Sequence, residues 1–282
     1  MTDRAEYRQD SRDRWSRAAA GWAQQADRLQ AAVMPVSAWM VEAIRPQPGQ
    51  TVLELAAGPG ITGLLAAELV QPAGRLISTD FAEPMLEVAR QRAARLGTDN
   101  VEFRVVDAES IDLETASVDA VLCRWGYMLV ADPGAAFSET RRVLRPGGRV
   151  ALSAWDGPEH NAWAAAPMIA LVQRGLVPAP DPDEPGMFAF AKPGRIENLL
   201  ADAGFLDVEV DTVDVEMSYD DFDDFLGVTN ACSRPVADAL EGLDADVRAE
   251  VEAAMGDGLA DFRAQDGSIR VPGRTLVAAA SA

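Results

Sequence analysis

The chain has 282 residues, 48% apolar and 25% charged, an ordinary globular balance with length for one large domain or two small ones. Acidic residues outnumber basic ones 45 to 25, and the net charge of −20 argues against nucleic acid and anionic membrane as partners. Two distant cysteines, Cys123 and Cys232, and a single histidine, His160, exclude a disulfide framework and a multi-histidine zinc centre, so no metal is expected.

The first residues, MTDRAEYRQDSRDRW, are too charged for a signal peptide, and no apolar run reaches the roughly 18 residues of a membrane span. The expected compartment is the cytoplasm. Residues 1–48 read as helical. Trp15, Ala18, Ala19 and Trp22 form an apolar stripe, and a second helix is expected over Leu29 to Ile44, kinked or started at Pro35. TVLEL (51–55) is the first strand, followed by a glycine-rich bend and a helix carrying Leu64, Leu65 and Leu69. RLIST (75–79), VEFRVV (101–106), SVDAVLC (117–123) and RVALSAW (149–155) are the next strands. Between them, Pro84 opens one helix and Asp132-Pro133 caps another, which Pro146-Gly147-Gly148 is expected to end. Further on, Pro193 to Gly204 reads as a helix and DVEVDTVDVEM (207–217) as a strand at or near an edge. Residues 219–265 read as acidic helices and TLVAAASA (275–282) as the final strand. Alternating strands and helices predict βαβ units in a mainly parallel sheet, with ligands at the carboxyl ends of its strands.

Those ends carry the chemistry. Gly58-x-Gly60-x-x-Gly63 follows the first strand, and Asp80 lies about 20 residues on, a literal match to the dinucleotide fingerprint. A nicotinamide-dependent oxidoreductase is therefore one reading. Glu54 opposes it, because a carboxylate at that strand end suits a cationic ligand better than a pyrophosphate. Asp80 ends the second strand, and Asp107-Ala108-Glu109 follows the third. Three acids gathered on one rim repel one another, a cost that a polyhydroxyl, cationic ligand offsets.

From Thr51 to Trp155 the segments TVLELAAGPG, STDFAEPML, VVDAESIDL, SVDAVLC and LRPGGRVALSAW occur in order. With these the chain resembles the class I S-adenosylmethionine-dependent methyltransferases, similar to the quinone-biosynthesis C-methyltransferase group. The resemblance implies an α/β fold: a Rossmann-like, seven-stranded, mostly parallel sheet with helices on both faces, its last strand antiparallel. It divides the chain into an N-terminal helical cap (1–48), a cofactor-binding core (49–155) and the rest of the sheet (156–282), with helical lid insertions at about 156–192 and 219–265.

The resemblance implies S-adenosyl-L-methionine as cofactor and a small-molecule acceptor methylated at carbon, oxygen or nitrogen. By position, Ala56, Gly58 and Gly60 turn beneath the methionine and ribose, and Glu54 sits near the amino group, directly or through water. Asp80 accepts from the ribose hydroxyls, and Phe81 and Met85 pack on the adenine. Asp107 accepts from the adenine amino group, with Ala108 and Glu109 beside it, while Arg124 faces the methionine end. Ala56 stands where many members have glycine, and is tolerable because a methyl group is small and only some positions need positive φ. His160 and Tyr127 are the candidate general bases. Trp15, Trp22, Trp125, Tyr127, Trp155 and Phe188 are the candidate acceptor contacts, in or near segments that could cover the pocket. A non-catalytic cofactor-binding module remains the other alternative, and the oligomeric state is open.

Overall fold

The computed structural model describes residues 4–282, so Met1 to Asp3 of the expected cap lie outside the described residues. In chain order the elements are α1 (Arg4–Ile44), β1 (Thr51–Glu54), α2 (Ile61–Leu69), β2 (Arg75–Asp80), α3 (Glu83–Leu96), β3 (Val101–Val105) and β4 (Val118–Arg124). Then come α4 (Pro133–Val143), β5 (Leu144–Trp155), α5 (Ala162–Gln173), α6 (Arg195–Asp202), β6 (Leu206–Tyr219), α7 (Phe222–Cys232), α8 (Arg234–Leu240), α9 (Ala245–Asp257) and β7 (Ile269–Ser281). Among the described residues no helix is long and apolar enough to cross a membrane.

The seven strands run in the order β3-β2-β1-β4-β5-β7-β6. The first five are mutually parallel, and β7 enters antiparallel between β5 and β6. The expected sheet and its antiparallel last strand are therefore present, with β6 at the edge. Strands β1, β2, β4 and β5 are almost wholly buried, since helices cover both faces. Chain order reverses between β1 and β4, which opens a crevice at their carboxyl ends.

Three local expectations need correction. No second helix starts at Pro35: α1 is one helix of 41 residues with that proline inside it. Val33, Val36, Met40, Val41 and Ile44 bury themselves in the main core around Pro35, and this packing outweighs one missing backbone hydrogen bond. Pro146-Gly147-Gly148 does not end α4, which already stops at Val143. It loops out within β5, where the pairing register jumps from Val118↔Leu144 to Ala120↔Arg149. Finally, β7 starts at Ile269, six residues before the expected Thr275, because it pairs with β6 as far as Tyr219.

That longer pairing carries the β6–β7 ribbon past the end of β5, whose last partner is Thr275 opposite Trp155. On one face of the overhang Met217, Tyr219, Ile269 and Val271 pack with Phe225, Val228 and Leu259. This second core supports α7 and the middle of α1 beyond the main sheet.

Candidate active site

A cavity opens at the crevice between β1 and β4 and encloses about 910 Å³ of atom-free space, its mouth included. The bend after β1 forms its floor, with Ala56, Gly58 and Gly60 at φ of +51°, +53° and +74°. Ala56 is one of the positions at positive φ, in the left-handed conformation, at a cost of about 1–2 kcal/mol. Its methyl packs where Gly126 leaves room: a Cβ on Gly126 would meet Ala56 Cβ and Cys123 Sγ, both at 2.6 Å. A Cβ on Gly58 meets nothing within 4 Å, so the cavity reaches the bare backbone there.

The three strand-end acids have different fates. Glu54 is buried and does not line the cavity. Its carboxylate accepts from the Gly63 amide (2.6 Å) and from Ser78 Oγ (3.1 Å), tying β1 to α2 and β2. A Cβ on Gly63 would come within 2.1 Å of Glu54 Oε2, so the third glycine of the motif makes room for this acid. Burial pushes the Glu54 carboxyl up to about 7. Direct contact between Glu54 and a ligand's amino group is therefore not what its geometry offers.

Asp80 does line the cavity. Its two oxygens accept from the Gly58 and Ala82 amides, each at 2.9 Å, and burial raises its carboxyl to about 6. Asp107 also lines it, one oxygen accepting from the Glu109 amide at 2.9 Å. Glu109 accepts from the Ala131 amide at 2.9 Å and pairs with Arg8. Phe81, Met85, Val106 and Ala108 complete this apolar end.

Arg124 sits at the other end. Its Nε donates to Thr62 Oγ1 (2.9 Å), which bonds Ser37 Oγ at 2.9 Å, and its guanidinium lies 4.5 Å over the Trp125 ring. Among the described residues no carboxylate comes within ion-pair distance of it. Burial lowers it to about 10 against the opposing pull of Glu54. Trp125 donates from Nε1 to Thr275 Oγ1 at 2.8 Å and stacks on Trp155 at 4.2 Å.

The lid contributes more than its aromatic residues. Tyr7, Arg8, Ser11, Trp15 and Trp22, all on α1, line the cavity. Trp15 and Trp22 cluster with Phe81 and Met85, beside the apolar end. Tyr7, Arg8 and Ser11 had escaped notice because a charged N-terminal stretch reads as solvated. Arg8, Ser11, Trp15 and Trp22 recur at steps of three, four and seven residues, with Tyr7 beside Arg8, and this helical spacing is the local signal.

Several expected site residues lie elsewhere. Tyr127 is fully buried, stacked on Phe137 at 4.4 Å, with its hydroxyl 2.6 Å from Thr140 Oγ1. Burial holds its phenol well above the usual range, the reverse of what a base requires. His160 stands outside the cavity with Nε2 3.7 Å from Asp156 Oδ2. Trp155 forms a second row behind Trp125, and Phe188 packs against the main core; neither lines the cavity. Gly60 turns away as well, its Cβ position facing Ala89 at 3.0 Å.

Residues 46–176 match a methyltransferase-domain family. The chain is 30% identical over 192 residues to nocamycin O-methyltransferase of Saccharothrix syringae, covering 65% of this chain and 69% of that protein. It is 37% identical over 133 residues to demethylmenaquinone methyltransferase of Clavibacter sepedonicus, covering 47% of this chain and 49% of that one. The chain thus spans about half of the Clavibacter protein's length, and only 27% of an arsenite methyltransferase of Halobacterium salinarum that it matches at 40% identity over 38% of its own residues. The YcgJ protein of Bacillus subtilis has the same fold, at a TM-score of 0.58 and 19% identity over 87% of this chain and 97% of that one.

The chain belongs to the class I S-adenosylmethionine-dependent methyltransferases. Its cofactor is S-adenosyl-L-methionine. The cavity fits that molecule: bare backbone at Gly58, cavity-facing carboxylates at Asp80 and Asp107, and a guanidinium at Arg124 that lacks a carboxylate partner.

Proposed function

We propose that this enzyme methylates a small molecule, by in-line transfer, inside the cavity that α1 covers. The observation that carries this is the set of acids at one end of the cavity and, at the other, the half-buried Arg124, which has no carboxylate partner among the described residues. A nucleoside amino acid has hydroxyls and an exocyclic amine for the acids, and a carboxylate for the guanidinium. Asp80 accepts from the ribose, Asp107 from the adenine amine, and Phe81 and Met85 flank the ring. Ala108 lines the base, and Ala56 and Gly58 run beneath the sugar and methionine. Arg124 takes the methionine carboxylate. Gly60, Glu54 and Glu109 act by shaping these walls.

The bound cofactor supplies a methyl group already activated on a sulfonium, so the chain's work is alignment and exclusion of water. Trp15, Trp22 and Trp125 suit a planar or apolar acceptor, and a partly open cavity beneath a helix suits a small one. The names of the Saccharothrix and Clavibacter relatives favour small acceptors too. Among the described residues the cavity offers no histidine, and its carboxylates are engaged with backbone amides. The same reading divides the chain into residues 1–48, 49–155 and 156–282. We place it in the cytoplasm, and among the described residues no helix is long and apolar enough to cross a membrane.

A thermal-shift series tests it. S-adenosylmethionine and S-adenosylhomocysteine should raise the melting midpoint, and NAD and NADP should not. Release of S-adenosylhomocysteine across a panel of small phenols, enols and amines then identifies the acceptor. Stabilisation by NAD alone would overturn the cofactor site, and cofactor binding without turnover on any acceptor would favour a binding module.

A further inference from the structure

The N-terminal half of α1 is joined to the rim by residues one turn apart. Arg4 pairs with Asp132, Arg8 pairs with Glu109, and Arg12 lies 5.9 Å over the Phe81 ring. Tyr7 adds a hydrogen bond from its hydroxyl to the Leu129 carbonyl at 2.9 Å. Of the three arginines only Arg8 reaches the carboxylates after β3. Its Nε stands 3.9 Å from Asp107 Oδ2 while its terminal nitrogen binds Glu109. Glu109 is fixed on its other side by the Ala131 amide, and its side chain is only 4% exposed. Asp107 Oδ1 is in turn held by the Glu109 amide.

We propose that Arg8 is a positioning residue for the nucleobase, holding Asp107 at the angle from which it accepts the adenine amine. This deepens, and rests on, the assignment of Asp107 to adenine. Two carboxylates two residues apart repel each other, and a guanidinium held by Glu109 and facing Asp107 offsets that repulsion, so that Asp107 keeps the orientation set by the Glu109 amide. At 3.9 Å the Arg8 Nε lies beyond hydrogen-bond reach of Oδ2, so that oxygen keeps its lone pairs for the ligand. The partly exposed ion pair adds little to stability, and its effect is orientational. The same side chain ties α1 across the base end, so base recognition and closure of the cavity share one residue.

Calorimetry with two probes tests this: S-adenosylhomocysteine, and S-inosylhomocysteine, whose base carries a carbonyl in place of the amine. The wild type should prefer the adenine compound by about tenfold or more, the worth of a hydrogen bond to a charged group. Arg8→Gln should cut that preference severalfold, with Arg8→Lys restoring part of it. Arg4→Gln, which severs the neighbouring tie alone, should weaken both ligands equally and leave their ratio unchanged. Thermal melts establish that each variant is folded. A wild-type ratio in Arg8→Gln, beside a collapsed ratio in Asp107→Asn, would overturn the role of Arg8 alone. A wild-type ratio in Asp107→Asn as well would overturn the adenine assignment and this role with it.

Discussion

The rim of the sheet and the helix above it surround one cavity but are built by opposite means. Every rim residue lies within a few positions of a strand end, so the local strand-bend-helix pattern sets its location. The cover is set by tertiary packing: α1 runs across the molecule and is held by α7 and by the β6–β7 ribbon. At the rim, polar groups bond to backbone within the same βα unit, as Asp80 does to Gly58 and Ala82. On the cover, partners lie more than 100 residues away, as for Arg8 and Glu109 or Trp22 and the Cys232 carbonyl. Rim changes should therefore act on ligand binding, and cover changes first on stability.

Asp80→Ala should have the largest effect. It leaves the Gly58 and Ala82 amides without acceptors and removes the ribose partner, so calorimetry should find S-adenosylhomocysteine binding weakened by about 100-fold. Unchanged affinity would sink the rim assignment. On the cover, Gly21→Ala puts a methyl 2.0 Å from the Ala231 carbonyl oxygen, where α1 crosses α7. Overpacking of that kind costs about 1–3 kcal/mol, and the thermal midpoint should fall before affinity does.

Arg124→Gln should lower affinity for S-adenosylhomocysteine by about tenfold while leaving methylthioadenosine, which lacks the carboxylate, unchanged. Equal loss of both would remove the carboxylate role. The smallest effect expected is on pH. Asp80 is raised from 3.8 to about 6 in the folded chain, so between those values the native state holds the extra proton. The contribution of Asp80 to stability accordingly falls as pH rises through that window. Ligand affinity runs the other way, since the ionised carboxylate is the better acceptor: it should drop below about pH 6, by no more than tenfold per unit, and stay flat in Asp80→Asn.

The sheet, its reversal point and the acids Asp80 and Asp107 were legible because period-two strands and strand-end carboxylates are local signals. Glu54 was legible as an acid at the rim but not as one turned inward, since its direction depends on the space left at Gly63. Tyr127 follows the strand that borders the site, and nothing local reveals that Phe137 and Thr140 claim it. Pro35 is a helix breaker by propensity, and only the surrounding core shows why the helix continues. The partners of Tyr7 and Arg8 lie 122 and 101 positions away, so helical spacing could place these residues on the covering face but could not name what they bind.

A rod of 41 residues is roughly 60 Å long, and its only proline lies in the half that is clamped by the core. The overlying half carries no proline and runs on from the clamped half as one helix. The contacts of Arg4, Tyr7 and Arg8 with the rim thus sit on one continuous rod.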